Sequence, residues 1–215
     1  FKGAFKTSKI VQTARAYISG IGYSELSING VKVGDQQLDP ANSEYSKRVY
    51  YTTHDIGSYL KNENSVVVAV GPGWYGIPKL RIQIEINYTD GTTEKITSDN
   101  IRSMTVGPIV RSSIYDGEYY DAREESSELG MAIIPDPEHA KKMKWIHAEI
   151  VDNPGGEMVS QKLEPIKIVG IIVPENIKEI RPGIYVIDAG QNLAGWASIK
   201  VKGESGTKII MKFSE

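Results

Sequence analysis

Residues 80–88 read Leu-Arg-Ile-Gln-Ile-Glu-Ile-Asn-Tyr, an unbroken alternation of apolar and polar side chains. Successive side chains of an extended chain point to opposite faces, so this alternation predicts a β-strand with one buried face. The stretch continues into Asp90-Gly91, a two-residue hairpin signal, and then into a second predicted strand over residues 92–97. This part of the chain therefore predicts an antiparallel hairpin packed on a hydrophobic core.

Short strands separated by turn residues recur along the rest of the chain. Asn29-Gly30 follows a strand pattern over 24–28 and precedes another over 31–34, and both turn residues tolerate the positive φ of a type I′ turn. Residues 66–70 read Val-Val-Val-Ala-Val, which predicts a central strand covered on both faces. Further strands are predicted at 15–19, 48–53, 166–173, 184–188, 197–202 and 207–213.

Helix signals are few. Asp136 and Pro137 predict the start of one short helix that ends near Lys144, and a turn of helix is predicted over 56–60. The sequence thus predicts an all-β fold: an antiparallel β-sandwich of the jelly-roll or galactose-binding type, then part of a second β domain, with very little helix. The Pro-Gly-rich loop at 152–156 predicts the boundary, with a sandwich domain over 1–156 and a truncated second domain over 157–215.

Composition excludes several classes of function. The chain has 25 basic and 27 acidic residues, a balance that argues against nucleic-acid and anionic-membrane partners. It has no cysteine, which removes disulfides, thiolate catalysis and cysteine-based zinc sites. The three histidines, His54, His139 and His147, are not spaced as metal ligands. We therefore expect no metal site and no cofactor.

Five segments, in order, carry a family resemblance. They are Arg15–Gly34, Leu38–Pro40 with Tyr45–Arg48, Gly71–Gly76, Ile114–Arg123, and Gly190–Trp196 with Gly203–Glu215. Together they resemble the bacterial α-L-rhamnosidase family over nearly the whole chain. The chain departs from the family at Ala41-Asn42, where Gly-Trp is usual, and at Gly130-Met131, where a Trp is usual nearby.

The resemblance implies a place in a larger enzyme. In that family, β-sandwich domains precede a helical (α/α) barrel that holds the catalytic acids, and terminal α-L-rhamnose is released with inversion. Inversion needs an acid and a base far enough apart to admit a water molecule. We therefore expect the catalytic pair beyond Glu215, no catalytic residue in this chain, and an accessory region inactive by itself. Its expected partners are the helical domain of the same polypeptide and a rhamnosylated glycan, with a secreted or periplasmic location.

Two segments supply candidate contact residues. Trp74 and Tyr75 lie between glycines after a core strand, where a loop-borne aromatic ring stacks on a sugar or packs as a lid on the sandwich. Asp116 and Glu118 belong to an acidic cluster that continues with Asp121, Glu124 and Glu125. Its alternatives are a catalytic pair, a calcium site and, favoured here, a structural or interdomain role. We predict carbohydrate or interdomain contact for Trp74, Tyr75, Asp116 and Glu118, and core positions for Trp145 and Trp196.

Two other functions stay open at this stage. One is a stand-alone carbohydrate-binding module without enzyme activity, which would bind a rhamnosylated glycan by itself. The other is a structural or adhesive sandwich of immunoglobulin-like type, which would bind a protein partner and no sugar. Sandwich folds serve all of these functions, so the fold class alone does not separate them.

Overall fold

The computed structural model describes residues 1–74, 77–101, 103–105, 107–125 and 146–214. The candidate residue Tyr75, the predicted helix near 136–144 and Trp145 lie outside these described residues. Contacts divide the chain into two units, Phe1–Lys167 and Ile168–Glu215, whereas the sequence predicted a boundary after Gly156. Residues 157–167 belong to the first unit because they pair with strands of that unit.

The described part of the chain is built from strands joined by short turns. In chain order they are β1 (Lys2–Lys6), β2 (Val11–Ile21), β3 (Tyr23–Ile28), β4 (Val31–Lys32), β5 (Gln36–Gln37), β6 (Arg48–Asp55), β7 (Glu63–Gly71), β8 (Lys79–Tyr88), β9 (Thr93–Thr97), β10 (Ser103–Met104), β11 (Ile109–Ser113), β12 (Gly117–Tyr120), β13 (Ile146–His147), β14 (Glu157–Ser160), β15 (Ile166–Lys167), β16 (Asn176–Arg181) and β17 (Ile184–Asp188). Helical turns within the described residues are of the 3-10 type, at Gly57–Tyr59, Ser98–Asn100 and Ala122–Glu124. The all-β fold with very little helix is confirmed.

Two sheets of the first unit form a sandwich. One has the strand order β13-β10-β1-β7-β3-β4, and the other has the order β14-β6-β2-β8-β9. Pairing is antiparallel throughout both sheets except between β14 and β6, which run parallel. A parallel pair needs a long crossover connection, and here about a hundred residues separate the two strands.

The core lies between these sheets, and along each strand every second side chain points into it. Along β8, Ile82, Ile84 and Ile86 are buried, and in register across from them on β2 lie Ile18, Ala16 and Ala14. Val66 and Val68 of β7 and Leu26 and Ile28 of β3 close the cluster from the other sheet. Burial of each large aliphatic side chain stabilises the fold by about 1.5–3 kcal/mol, so this double layer is the main source of stability.

The sequence predicted two hairpin turns, at Asn29-Gly30 and at Asp90-Gly91, and the structure shows how each is built. Asn29 and Gly30 have φ values of 52° and 79°, which confirms the primed turn between β3 and β4. The turn after β8 differs from a two-residue turn, because the Tyr88 N–H donates to the Thr92 carbonyl and the Gly91 N–H donates to the Tyr88 carbonyl. The Asp90 carboxylate accepts from the Thr92 N–H at 3.0 Å and stabilises this longer loop.

The second unit contains the antiparallel hairpin β16–β17. Residues 197–202 and 207–213, which the sequence predicted as strands, have no strand partner among the described residues and are irregular. Trp196 is 56% exposed, so its predicted core position is wrong for this chain. A strand persists only with a hydrogen-bonded neighbour, and an apolar side chain is buried only where a second layer covers it. In the described part of the chain, no helix is long and apolar enough to cross a membrane.

Candidate functional site

The loop that carries Trp74 is held in place by close backbone contact. It follows the end of β7 at Gly71 and packs against the turn between β2 and β3 at Gly22. Gly22 has a φ of +96°, and a Cβ atom there would lie 2.0 Å from the Gly71 carbonyl oxygen. The Gly22 N–H donates to the buried Tyr45 hydroxyl at 2.9 Å. Only glycine allows this approach, so the turn fixes where the loop leaves the sheet.

Trp74 itself is half-exposed and contacts the aromatic ring of Tyr115. Its indole is 45% exposed and meets Tyr115 edge-on, with ring centroids 4.9 Å apart and planes at 85°. Tyr115 is 81% exposed and lies in the turn between β11 and β12. An edge-to-face pair of this kind contributes about 0.5–1.5 kcal/mol and holds both rings in one orientation.

Asp116 has a structural partner within its own hairpin. Its carboxylate accepts from the Arg111 guanidinium at 2.6 Å, and its N–H donates to the Ser113 hydroxyl at 3.1 Å. Gly117 follows with a φ of +78°, which completes the turn. The ion pair is exposed on both sides, so it is worth about 0–1 kcal/mol, and its main effect is to orient the turn that carries Tyr115.

Glu118 lies on β12 opposite Ser112, and its side chain is exposed. Two residues further on, the Tyr120 hydroxyl donates to the Glu125 carboxylate. The pKa of Tyr120 lies well above its usual value because partial burial disfavours the phenolate, and the hydrogen bond to Glu125 and the charges of Glu125 and Glu118 add to the effect. On the other face of this strand, the Arg111 guanidinium lies 5.7 Å from the centre of the Tyr119 ring.

The remaining carboxylates of the acidic cluster are also engaged locally. Asp121 caps the turn at 122–124, accepts from the Arg123 backbone N–H at 3.0 Å, and binds the Arg123 guanidinium at 2.6 Å and 2.9 Å. Within the described ranges, no group of three or more His, Asp and Glu side chains is arranged to hold a metal ion. The cluster acts chiefly to shape the hairpin.

Trp74 and the β11–β12 hairpin are together called the hairpin surface: Trp74 and Tyr115 meet at the tip of the hairpin, and Tyr119 and Tyr120 lie on its two opposite faces. The structure brings Trp74 next to the turn that Asp116 orients, although about forty residues separate them in the chain. Sequence reasoning missed Tyr115, whose place directly before the turn signal Asp116-Gly117 marks it as a loop-tip side chain. Glu118 lies on strand β12 of the same hairpin.

Comparison with known proteins places this chain in a family. A profile of the α-L-rhamnosidase N-terminal domain matches residues 9–170. The chain belongs to the bacterial α-L-rhamnosidase family. A profile of the concanavalin-like domain of bacterial α-L-rhamnosidases matches residues 178–215, so the chain contains the N-terminal domain and a part that matches the next. The family resemblance carried by the five sequence segments is confirmed.

Individual relatives agree. An α-L-rhamnosidase of Streptomyces avermitilis is 32% identical over 96% of this chain and 21% of its own length. One of Formosa agariphila is 32% identical over 97% of this chain and 23% of its own length. The chain therefore spans about a fifth to a quarter of the length of these curated relatives.

Solved structures share the fold. An α-L-rhamnosidase from Dictyoglumus thermophilum superimposes with a TM-score of 0.78 and 37% identity, covering 89% of this chain and 22% of that one. The S. avermitilis α-L-rhamnosidase complexed with L-rhamnose has the same TM-score at 33% identity, covering 89% of this chain and 20% of that one. The strand framework of the sandwich is thus common to these α-L-rhamnosidases.

Proposed function

We propose that this chain is the non-catalytic β-sandwich region of a glycoside hydrolase that releases terminal α-L-rhamnose with inversion. The observation that carries the proposal is the family match over 9–170 and 178–215, in a chain that covers only 20–24% of its relatives. Three carboxylates of the acidic cluster, those of Asp116, Asp121 and Glu125, are engaged by Arg111, Arg123 and Tyr120 respectively. The acid and base of inversion are therefore sought in the rest of the polypeptide.

The hairpin surface is the proposed contact region for the helical catalytic domain and the glycan. Apolar side chains cluster there in the open: Ile109, Val110, Tyr115, Tyr119 and Tyr120 are all exposed. Exposed aromatic patches mark binding surfaces, because burying them against a partner is strongly favourable. Trp74 at the border of this surface stacks on a sugar ring, while Asp116 and Glu118 supply acceptors for sugar hydroxyls or for the docked domain. Tyr75 is included with Trp74 on the sequence argument alone.

The test is kinetic and uses the whole enzyme. Trp74→Ala should lower kcat/KM for a rhamnosylated polysaccharide by up to about tenfold, the scale of one aromatic contact. Ile10→Ala removes another exposed apolar side chain and should change neither kinetics nor thermal stability. An unchanged kcat/KM for a small aryl α-L-rhamnoside in Trp74→Ala would assign the residue to glycan contact, and a parallel loss on both substrates would assign it to domain docking. The proposal for Trp74 is wrong if both glycan affinity and activity are unchanged.

A stand-alone carbohydrate-binding module is the second candidate function. The exposed edge-to-face pair of Trp74 and Tyr115 favours it, because rings presented on a loop and a hairpin turn form a stacking platform without any catalytic domain. Titration calorimetry of this chain with a rhamnosylated glycan decides the point. Binding lost on Trp74→Ala, together with no rhamnose release by the whole protein, would replace the hydrolase proposal with the binding module.

A further inference from the structure

The turn between β3 and β4 contains Asn29-Gly30, the only Asn-Gly pair in the sequence. In such a pair the glycine backbone nitrogen can attack the asparagine side-chain carbon Cγ, because no glycine side chain blocks the approach. The N–Cγ bond forms, the Cγ–Nδ2 bond breaks, and ammonia leaves with the proton of the glycine N–H. Water then opens the resulting five-membered ring and leaves aspartate or isoaspartate. The turn therefore carries a deamidation reaction that needs only its own atoms and solvent.

In the folded chain the Asn29 side-chain amide is held by three hydrogen bonds. Its Nδ2 donates to the Tyr59 carbonyl at 2.8 Å and to the Asn64 Oδ1 at 3.0 Å, which uses both of its protons. Its Oδ1 accepts from the Ser65 N–H at 3.0 Å, and the Asn29 N–H donates to the Ser65 carbonyl at 2.9 Å. The amide is thus bound to the start of β7 and to the 3-10 turn that precedes it.

Asn64 is a fixed partner for this amide. It is only 3% exposed, its Oδ1 also accepts from the Lys61 N–H at 2.7 Å, and its Nδ2 donates to the Lys61 carbonyl at 2.6 Å. Closing a five-membered ring requires the Asn29 side chain and the peptide bond to Gly30 to rotate towards each other. That rotation breaks the hydrogen bonds to β7, so the reaction needs a local opening of the turn.

The product does not fit the place that the amide leaves. The Tyr59 carbonyl and the Asn64 Oδ1 both accept hydrogen bonds from the Asn29 amide. A carboxylate only accepts, so it would face two acceptors without a proton to give them. Isoaspartate would also add one backbone carbon to the turn between β3 and β4. Either product therefore opposes the return of the turn to β7.

We propose that Asn29 is a deamidation site that the fold protects. The side chain is inert while the turn is bonded to β7, it reacts when the turn opens, and its product keeps the turn from closing again. β4 is the edge strand of its sheet, where local opening is easiest. The turn therefore converts past opening of this edge into a permanent chemical mark, independently of the function proposed for the chain.

The first test compares deamidation rates by mass spectrometry in one mildly alkaline buffer. The intact protein is incubated, digested and mapped, and a synthetic peptide of residues 26–33 is the unfolded reference. Asn29 should react at least about tenfold more slowly in the protein than in the peptide, since opening must break several hydrogen bonds first. In sub-denaturing urea the rate should rise together with hydrogen exchange at the Ser65 amide, which bonds to Asn29. Equal rates in protein and peptide, or an unreactive peptide, would overturn the proposal.

The second test uses Asn29→Asp, which has the side chain of one product, and Asn87→Asp as the matched control. The exposed Asn87 amide donates to the Thr13 hydroxyl at 3.0 Å and accepts from the Thr93 hydroxyl at 2.9 Å. Hydroxyls donate as well as accept, so a carboxylate keeps its partners there. Asn29→Asp should lower Tm by about 4–10 °C, and Asn87→Asp should change it by less than about 2 °C. An unfolded Asn29→Asp beside a folded control supports the proposal, and equal Tm values would contradict it.

Discussion

The close contact between Gly22 and Gly71 can be tested by substitution. Gly91 supplies the control, because its φ is also positive and of similar size. Gly22→Ala should destabilise the first unit for two reasons. An L-residue at a φ of +96° is strained by about 1–2 kcal/mol, and the new Cβ would lie 2.0 Å from the Gly71 carbonyl oxygen. Relieving that overlap requires the ends of β2 and β7 to separate by about 1 Å or more, which adds about 1–3 kcal/mol.

Gly91→Ala measures the cost of backbone strain alone, so its difference from Gly22→Ala gives the steric cost. Gly91 has a φ of +82°, close to that of Gly22, but a Cβ there meets nothing within 4 Å. It should therefore lose only about 1–2 kcal/mol, the cost of backbone strain alone. Gly22→Ala should lose about 2–5 kcal/mol in total.

Urea denaturation followed by far-UV circular dichroism measures both variants. With an m value of about 2 kcal/mol/M, the steric excess of Gly22→Ala should lower its midpoint by a further 0.5–1.5 M or so relative to Gly91→Ala. Equal midpoints for the two variants would refute the argument that close backbone contact at Gly22 holds the Trp74 loop. A Trp fluorescence change in folded Gly22→Ala, absent from Gly91→Ala, would show the loop moving.

Two further predictions concern the core and the pH dependence of stability. Ile84→Ala removes a fully buried side chain at the centre of β8 and should cost about 2–5 kcal/mol in urea denaturation, whereas Gln83→Ala, one residue away on the outer face, should cost under about 1 kcal/mol. The pKa of His54 is lowered by burial from its ordinary value of 6.5, so the unfolded chain binds the proton more readily, and stability should decline as pH falls below that value. His54→Gln should flatten this slope between about pH 5.5 and 7.5 in thermal melts, and an unchanged slope would mean that the imidazole is not desolvated as described.

Much of the fold follows from local pattern. The alternation over 80–88 predicted β8, and the valine run predicted the inner strand β7, because burying one face or both is a property of each strand separately. Asn29-Gly30 predicted its turn, since positive φ at two successive positions is a local demand. Asp90-Gly91 predicted a two-residue turn, but the loop is longer, because loop length depends on which residues of the two strands pair.

The candidate site was predictable only in part. Trp74 and Asp116 were identified as loop residues, but their relation was not, since contact between two loops depends on the packing of the sheets that carry them. The expected strands over 197–202 and 207–213 show the same limit. An alternation of apolar and polar residues predicts which side chains are to be buried, but not which other element covers them.

The sequence by itself therefore determined the all-β class, the main strands of the sandwich and membership of the α-L-rhamnosidase family. Each of these conclusions rests on patterns and motifs within short stretches of the chain. The tertiary structure alone decided the parallel pairing of β14 with β6, the edge-to-face pair of Trp74 and Tyr115, and the hydrogen bonds that hold Asn29 to Tyr59 and Asn64. These features bring together residues tens to more than a hundred positions apart. Such contacts form only when hydrophobic burial between the two sheets brings distant segments together, because no local backbone preference encodes them.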